Sequence, residues 1–85
     1  MTKLLEEIHP GEILLHELMI PMGISAIDLA EKTQISVEMV EGILEGRESI
    51  THPIATALKI VFPLDASFWM NLQSEYDLRI NQLAT

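Results

Sequence analysis

An 85-residue chain has room for one small domain, which excludes a two-domain enzyme with a cleft between its domains. Five Lys and Arg stand against 13 Asp and Glu, and the formal net charge of −8 argues against binding nucleic acid through bulk positive charge or docking on an anionic membrane. With 48% hydrophobic residues the chain is too apolar for an acidic disordered tail, and so much apolar content on so short a chain favours burial by a partner, hence a dimer.

The first predicted helix opens at Pro10-Gly11, and residues 1–9 before it are expected to be loose. Pro21 and Gly23 are expected to end it. Its apolar side is predicted to carry Ile13, Leu14 and Leu18.

Two short helices are predicted next, each introduced by a serine. Ser25 is a good N-cap for a helix over residues 26–33, and Asp28 completes a capping box with it. After a tight break at Gln34-Ile35, Ser36 caps a helix over residues 37–45 that stops at Gly46. The predicted inward residues are Ile27, Leu29 and Ala30 in the first of these helices and Val40, Ile43 and Leu44 in the second.

Two further helices are predicted in the last third of the chain. Thr51 caps a helix from residue 52 to about 62, which Pro63 ends, and Asp65 or Ser67 caps the last helix. The last helix carries an apolar stripe at helical spacing, formed by Trp69, Leu72, Tyr76, Ile80 and Leu83. No segment alternates as a strand does, so the sequence predicts one all-α domain of five helices.

The residues present predict neither an export signal nor a membrane span. It has no cysteine, which excludes disulfides, thiolate zinc sites and cysteine nucleophiles and fits a reducing compartment. Glu6 and Glu7 interrupt any signal-peptide apolar region, and the least polar stretch, residues 18–27, is too short to span a bilayer. We expect a cytoplasmic protein.

Catalytic and metal-binding motifs are incomplete in the sequence. His16-Glu17 begins like the zinc helix H-E-x-x-H, but Ile20 occupies the place of the second ligand, so no metal site is predicted. No Ser-His-Asp motif, Gly-rich phosphate loop or apolar carboxylate pair is present, and we expect neither an enzyme nor a cofactor.

Residues 25–46 have the spacing of a helix-turn-helix, with two helices of about eight residues and a break of about three. Steep crossing of the two helices requires a small residue at their contact, which Ala30 supplies. Ile35 is suited to fill the corner, and Val40 and Ile43 to anchor the second helix.

Motifs at both ends of the chain resemble one family. The segment His9-Pro10-Gly11-Glu12-Ile13-Leu14 resembles the opening of HigA-type, or VapI-type, antitoxins of the phage-repressor-like (XRE, Cro/C1-type) class. Phe68-Trp69-Met70-Asn71-Leu72-Gln73, followed by Tyr76-Asp77-Leu78, is similar to the C-terminal signature of that family. The resemblance covers about residues 8–83. It implies a single lambda-repressor-like domain over residues 1–85, with a dimer helix at about 67–83.

The resemblance implies a homodimeric antitoxin that neutralises a HigB-like, mRNA-cleaving ribonuclease toxin and represses its own operon. Residues 37–45 would be the recognition helix, and Ser25 and Ala26 would meet a phosphate. The implied DNA-binding residues are Ser25, Ala26, Lys32, Ser36, Val37, Glu38, Glu41, Arg47 and Thr51. The implied dimer residues are Phe68, Trp69, Leu72, Tyr76 and Ile80.

The chain departs from the family pattern at the positions expected to face DNA. Residues 36–46 contain three Glu and no Lys or Arg, and the only basic residues in 25–47 are Lys32 and Arg47, against five acidic ones. Glutamate accepts a hydrogen bond from cytosine N4 but is repelled by phosphate. Gln34 occupies a turn position where Gly is common, because a positive φ costs other residues more.

Two functions therefore stay open. In one, helix N-termini assisted by Arg47, Lys32, Ser36 and Thr51 hold operator DNA weakly. In the other, a degenerate helix-turn-helix keeps its fold and its protein contacts but reads no DNA. For Glu38, Glu41 and Glu45 the choice lies between a solvated helix face and a surface complementary to a basic toxin.

Overall fold

The computed structural model describes residues 8–84, and side chains over residues 8–82. Five helices follow one another in this range: α1 (Pro10–Met22), α2 (Ala26–Thr33), α3 (Val37–Leu44), α4 (His52–Leu58) and α5 (Ala66–Ala84). The described residues contain no strand, which confirms the all-α prediction. Residues 1–7, which make up most of the segment expected to be loose, lie outside the described part. The Leu83 side chain of the predicted stripe also lies outside it.

Helix α1 begins at Pro10 and ends at Gly23, as predicted. His9 is not loose: it is buried and is the N-cap, where its Nδ1 accepts a hydrogen bond from the Gly11 N–H at 2.9 Å. Pro21 lies inside the last turn, and the helix runs to Gly23, whose φ of 69° is left-handed. The preceding turns are π-helical over Leu14–Met19.

The N-capping residues predicted for α2 and α3 make the expected hydrogen bonds. Ser25 Oγ accepts from the Asp28 N–H at 3.1 Å, while Asp28 Oδ2 accepts from the Ser25 N–H at 3.2 Å, which forms the capping box. Ser36 Oγ accepts from the Met39 N–H at 3.1 Å at the start of α3. Gln34 has a φ of 64°, the strained left-handed conformation expected at the turn, and Gly46 follows α3 with a φ of 81°.

Helix α4 is shorter than predicted. It ends at Leu58, and residues 59–61 form tighter turns in which each N–H bonds the carbonyl three residues before it. These turns precede Pro63, since the residue before a proline is disfavoured in the helical region. Helix α5 starts at Ala66, so Asp65 rather than Ser67 is the residue that precedes it.

The core lies where all five helices meet. Helix α4 packs on α5, α2 on α3, and α1 on both α3 and α5. Phe62 and Trp69 are both fully buried. The prediction that Ile27 faces inward is wrong, because its side chain is 59% exposed. The buried apolar residues are Leu14, Met19, Leu29, Ala30, Val40, Ile43, Ile50, Ala55, Leu58, Phe62 and Trp69.

One close approach fixes α1 against α3. A Cβ added at Gly11 would collide with the carbonyl oxygen of Ile43, so only glycine allows the two backbones to lie this close. This contact sets the position of α3, the predicted recognition helix.

Among residues 8–84, no single helix is long and apolar enough to cross a membrane. The one pair that reaches that length and composition together, Pro10–Met22 with Ala26–Thr33, is bent by 98°.

Candidate nucleic-acid interface

The N-terminal ends of α2 and α3 each carry an exposed serine. The Oγ atoms of Ser25 and Ser36 accept hydrogen bonds from their own helices, which leaves each hydroxyl its O–H donor. Each helix has eight residues, and its first N–H groups and dipole favour a negative charge at that end. Both ends are therefore suited to phosphate contacts.

The outward face of α3 is acidic. Glu38, Glu41 and Glu45 are exposed, while Val40 and Ile43 are buried in the core. Exposed carboxylates in a major groove can accept from cytosine N4 but cannot bind guanine or adenine as Arg, Asn and Gln do. Among the bases, the exposed face of α3 can therefore accept a hydrogen bond from cytosine, and it attracts phosphate weakly.

The two cations of the helix-turn-helix differ in their surroundings. Lys32 is exposed in the last turn of α2. Arg47 donates to Glu45 Oε1 from Nε at 3.0 Å and from Nη2 at 2.7 Å, and both side chains are more than 60% exposed. The positive charge next to α3 is thus already paired.

The remaining predicted DNA-binding residues, Thr51, Ala26 and Val37, differ in exposure. Thr51 is exposed at the N-cap position of α4, where its side chain makes no capping hydrogen bond. Ala26 and Val37 are half-buried and pack on the core, so only part of each surface can reach DNA. The structure places all nine on α2, α3 or the segments that flank them.

The predicted dimer residues do not all lie on the surface. Trp69 is fully buried inside the single chain, so it offers nothing to a second copy, and its assignment to a dimer seam is corrected to a core role. Leu72 and Tyr76 are half-buried, while Phe68 and Ile80 are 38% and 37% exposed.

An open groove of about 550 Å³ runs between α1 and α5. Its walls are mainly apolar, and both signs of charge lie on it. The lining residues are Ile8, Ile13, Glu17, Leu72, Glu75, Tyr76 and Arg79. Tyr76 also packs edge-on against His9, with ring centroids 4.8 Å apart.

The sequence predicted no role for Gln73 beyond its place in the C-terminal signature, yet Gln73 is buried with 4% of its surface exposed. Its Oε1 accepts from the Ile50 N–H at 2.8 Å, and its Nε2 donates to Asp77 Oδ1 at 2.9 Å. A signal was available, because Gln73 lies four residues after Trp69 and so on the inward face of α5. A polar residue at an inward position requires buried partners.

No family model matches the chain. Virulence-associated protein I of Dichelobacter nodosus is 41% identical over 73 residues, which cover 86% of this chain and 68% of that protein. The solved structure of the antitoxin GraA is 37% identical with a TM-score of 0.89, covering 92% of this chain and 84% of that one. The Pseudomonas aeruginosa antitoxin HigA, solved with the higBA promoter, is 40% identical with a TM-score of 0.88, covering 92% and 85%.

Proposed function

The chain belongs to the HigA/VapI-type family of helix-turn-helix antitoxins, and from that premise we propose that it binds operator DNA through α2 and α3 and represses its own operon. The observation that carries the proposal is the match, at 40% identity and over 92% of the chain, to an antitoxin solved with promoter DNA. That match does not favour the alternative in which the helix-turn-helix binds only protein.

In this proposal α3 enters the major groove while the N-terminal ends of α2 and α3 approach phosphates. Ser25 and Ser36 donate from their hydroxyls, and Lys32, Arg47 and Thr51 flank them. Because few cations are available, few counterions are released, and affinity should depend less steeply on salt than for a protein with 6–10 phosphate contacts.

We propose that the chain acts as a homodimer through α5. The residues that offer surface for this contact are Phe68, Leu72, Tyr76 and Ile80. A two-fold dimer would bring its two α3 helices to successive major grooves, about 34 Å apart for half-sites one helical turn apart. The apolar content of so short a chain supports burial of this kind.

The partner we propose is a HigB-like ribonuclease toxin, and the net charge of −8 supports association with a basic protein. The solved structures of GraA and of Pseudomonas aeruginosa HigA are both of antitoxins, so we assign binding rather than catalysis to the chain. Operator binding implies that the protein acts in the cytoplasm.

A gel shift tests the DNA assignment. The full chain is titrated at low salt against its own promoter region and against a shuffled fragment of equal length. Sequence-specific retardation supports the proposal, while equal retardation of both fragments, or none, contradicts it.

Co-purification with the product of a short basic reading frame beside the gene tests the toxin assignment, and separate elution contradicts it.

A further inference from the structure

We propose that Gln73 is a positioning residue for operator binding. Its side chain, on α5, holds in place the loop that carries Arg47. The inference rests on the proposed function. The loop is residues 45–51, between α3 and α4, and is called the Arg47 loop below.

The Arg47 loop is held at its start by α3. The N–H groups of Arg47 and Glu48 both donate to the Gly42 carbonyl, at 2.8 and 3.1 Å, and Gly46 turns the chain with a φ of 81°. Together with the bonds from the Glu45 N–H to the Glu41 carbonyl and from the Gly46 N–H to the Ile43 carbonyl, these contacts anchor the first half of the loop to α3.

The end of the loop is held by α5. Ile50 is 1% exposed, and its N–H donates to Gln73 Oε1 across 23 residues of sequence. The Gln73 amide is oriented by its own donation to Asp77 Oδ1, so that its oxygen faces Ile50. Removing the oxygen would leave the buried Ile50 N–H unsatisfied, and displacement of the loop towards water would relieve that cost.

Arg47 lies between these two anchors. Its side chain is exposed, and its backbone position is set by Gly42 on one side and by Gln73 on the other. Gln73 also lies on α5 between Leu72 and Tyr76, which belong to the proposed dimer surface. A change at Gln73 should therefore displace Arg47 relative to α3.

The test is a double-mutant cycle on the full chain, with labelled promoter DNA and fluorescence anisotropy at several salt concentrations. Gln73→Met keeps the size of the side chain and removes both hydrogen bonds. We expect it to weaken operator binding roughly five- to tenfold and to lower the salt slope by about one, as Arg47→Ala does. In the Arg47→Ala background, Gln73→Met should change the affinity little.

A purely structural role predicts a different result. Additive effects of the two substitutions, or an unchanged salt slope in Gln73→Met after correction for the folded fraction by circular dichroism, would overturn the inference. Ser74→Ala, an exposed neighbour on α5, is the control and should leave affinity and slope unchanged.

A charge-neutral swap keeps the test valid if Gln73→Met fails to fold. Gln73→Glu alone places a carboxylate beside Asp77 and should weaken binding. Adding Asp77→Asn supplies an amide at position 77 that donates to the new carboxylate at position 73, whose other oxygen accepts from the Ile50 N–H. Because the carboxylate at position 73 is buried while that of Asp77 is exposed, the double variant should regain only part of the parental affinity. A double variant that binds no better than Gln73→Glu counts against the inference.

The parent chain separates this inference from the function on which it rests. Absence of operator binding by the parent chain overturns the proposed function and this inference together. Parental binding that is insensitive to Gln73 overturns this inference alone.

Discussion

Glu45 Oε1 accepts two hydrogen bonds from the Arg47 guanidinium, from Nε at 3.0 Å and from Nη2 at 2.7 Å. Both side chains are more than 60% exposed, and a pair of this kind contributes about 0–1 kcal/mol to stability. The guanidinium can therefore exchange this carboxylate for a phosphate at little cost, but the exchange leaves Glu45 close to the DNA backbone. The pair sets how much of the Arg47 charge is available to an operator.

Glu45→Gln should strengthen operator binding, because it frees Arg47 and removes a repelled carboxylate. We expect a gain of about three- to tenfold in affinity at low salt, measured by fluorescence anisotropy with promoter DNA. Asp65→Asn is the matched control: it makes the same change in net charge and releases Lys59 from an exposed pair at 3.0 Å outside the helix-turn-helix. An equal gain in both variants would show that only net charge matters.

Glu41→Lys should strengthen operator binding and steepen its salt dependence. Glu41 is exposed on α3, and a lysine there would attract phosphate, adding about one to the slope of log K against log salt. Glu75→Lys makes the same charge change on α5 and should leave the slope nearly unchanged. An unaltered slope in Glu41→Lys would contradict docking of α3 in the groove.

The helix-turn-helix was predictable because its signals are local. The Ser25–Asp28 capping box, the Ser36 cap and the left-handed Gln34 each involve residues at most three apart, so sequence spacing alone specifies them. The left-handed Gly23 ended α1 as predicted, whereas the π-helical register over Leu14–Met19 was not predicted.

Long-range contacts were not predictable in the same way. The helical stripe placed Trp69 on the apolar face of α5, but spacing alone cannot distinguish a core residue from a dimer contact. In the structure α4 packs against α5 and Trp69 is fully buried, so it belongs to the core. The bond from Ile50 to Gln73 spans 23 residues and depends on where the Arg47 loop ends. Sequence therefore supplied the scaffold of the site and not the contacts that position it.

Ile80→Glu should shift the protein towards monomer in sedimentation velocity without unfolding it. Ile80 is 37% exposed on α5, and a charge there opposes burial against a second copy. Ile60→Glu is the control, since Ile60 is 69% exposed, follows α4 and is not one of the residues of the proposed surface. An unchanged dimer in Ile80→Glu would place the dimer contact elsewhere.

Trp69→Ala should act differently from Ile80→Glu. Because Trp69 is fully buried, its truncation should lower the free energy of unfolding by about 3–5 kcal/mol. Urea denaturation followed by circular dichroism measures this loss. A folded, stable and monomeric Trp69→Ala variant would contradict the core assignment.

Gln34→Gly should raise the free energy of unfolding. The φ of 64° strains any residue with a Cβ by about 1–2 kcal/mol, which exceeds the added chain entropy of glycine, about 0.5–1 kcal/mol. The substitution also removes the bond from Gln34 Nε2 to the Glu31 carbonyl, at 3.0 Å, which is exposed and therefore contributes only about 0.5 kcal/mol. We expect a small net gain of about 0.3 kcal/mol by urea denaturation.

Gln34→Ala separates the two contributions, because it keeps the strain and loses the same hydrogen bond. It should be less stable than the parent chain, and Gln34→Gly should be the most stable of the three. If Gln34→Gly and Gln34→Ala are destabilised equally, the bond to Glu31 rather than backbone strain governs this turn. The predicted order instead means that the helix-turn-helix tolerates a strained residue where glycine would fit better.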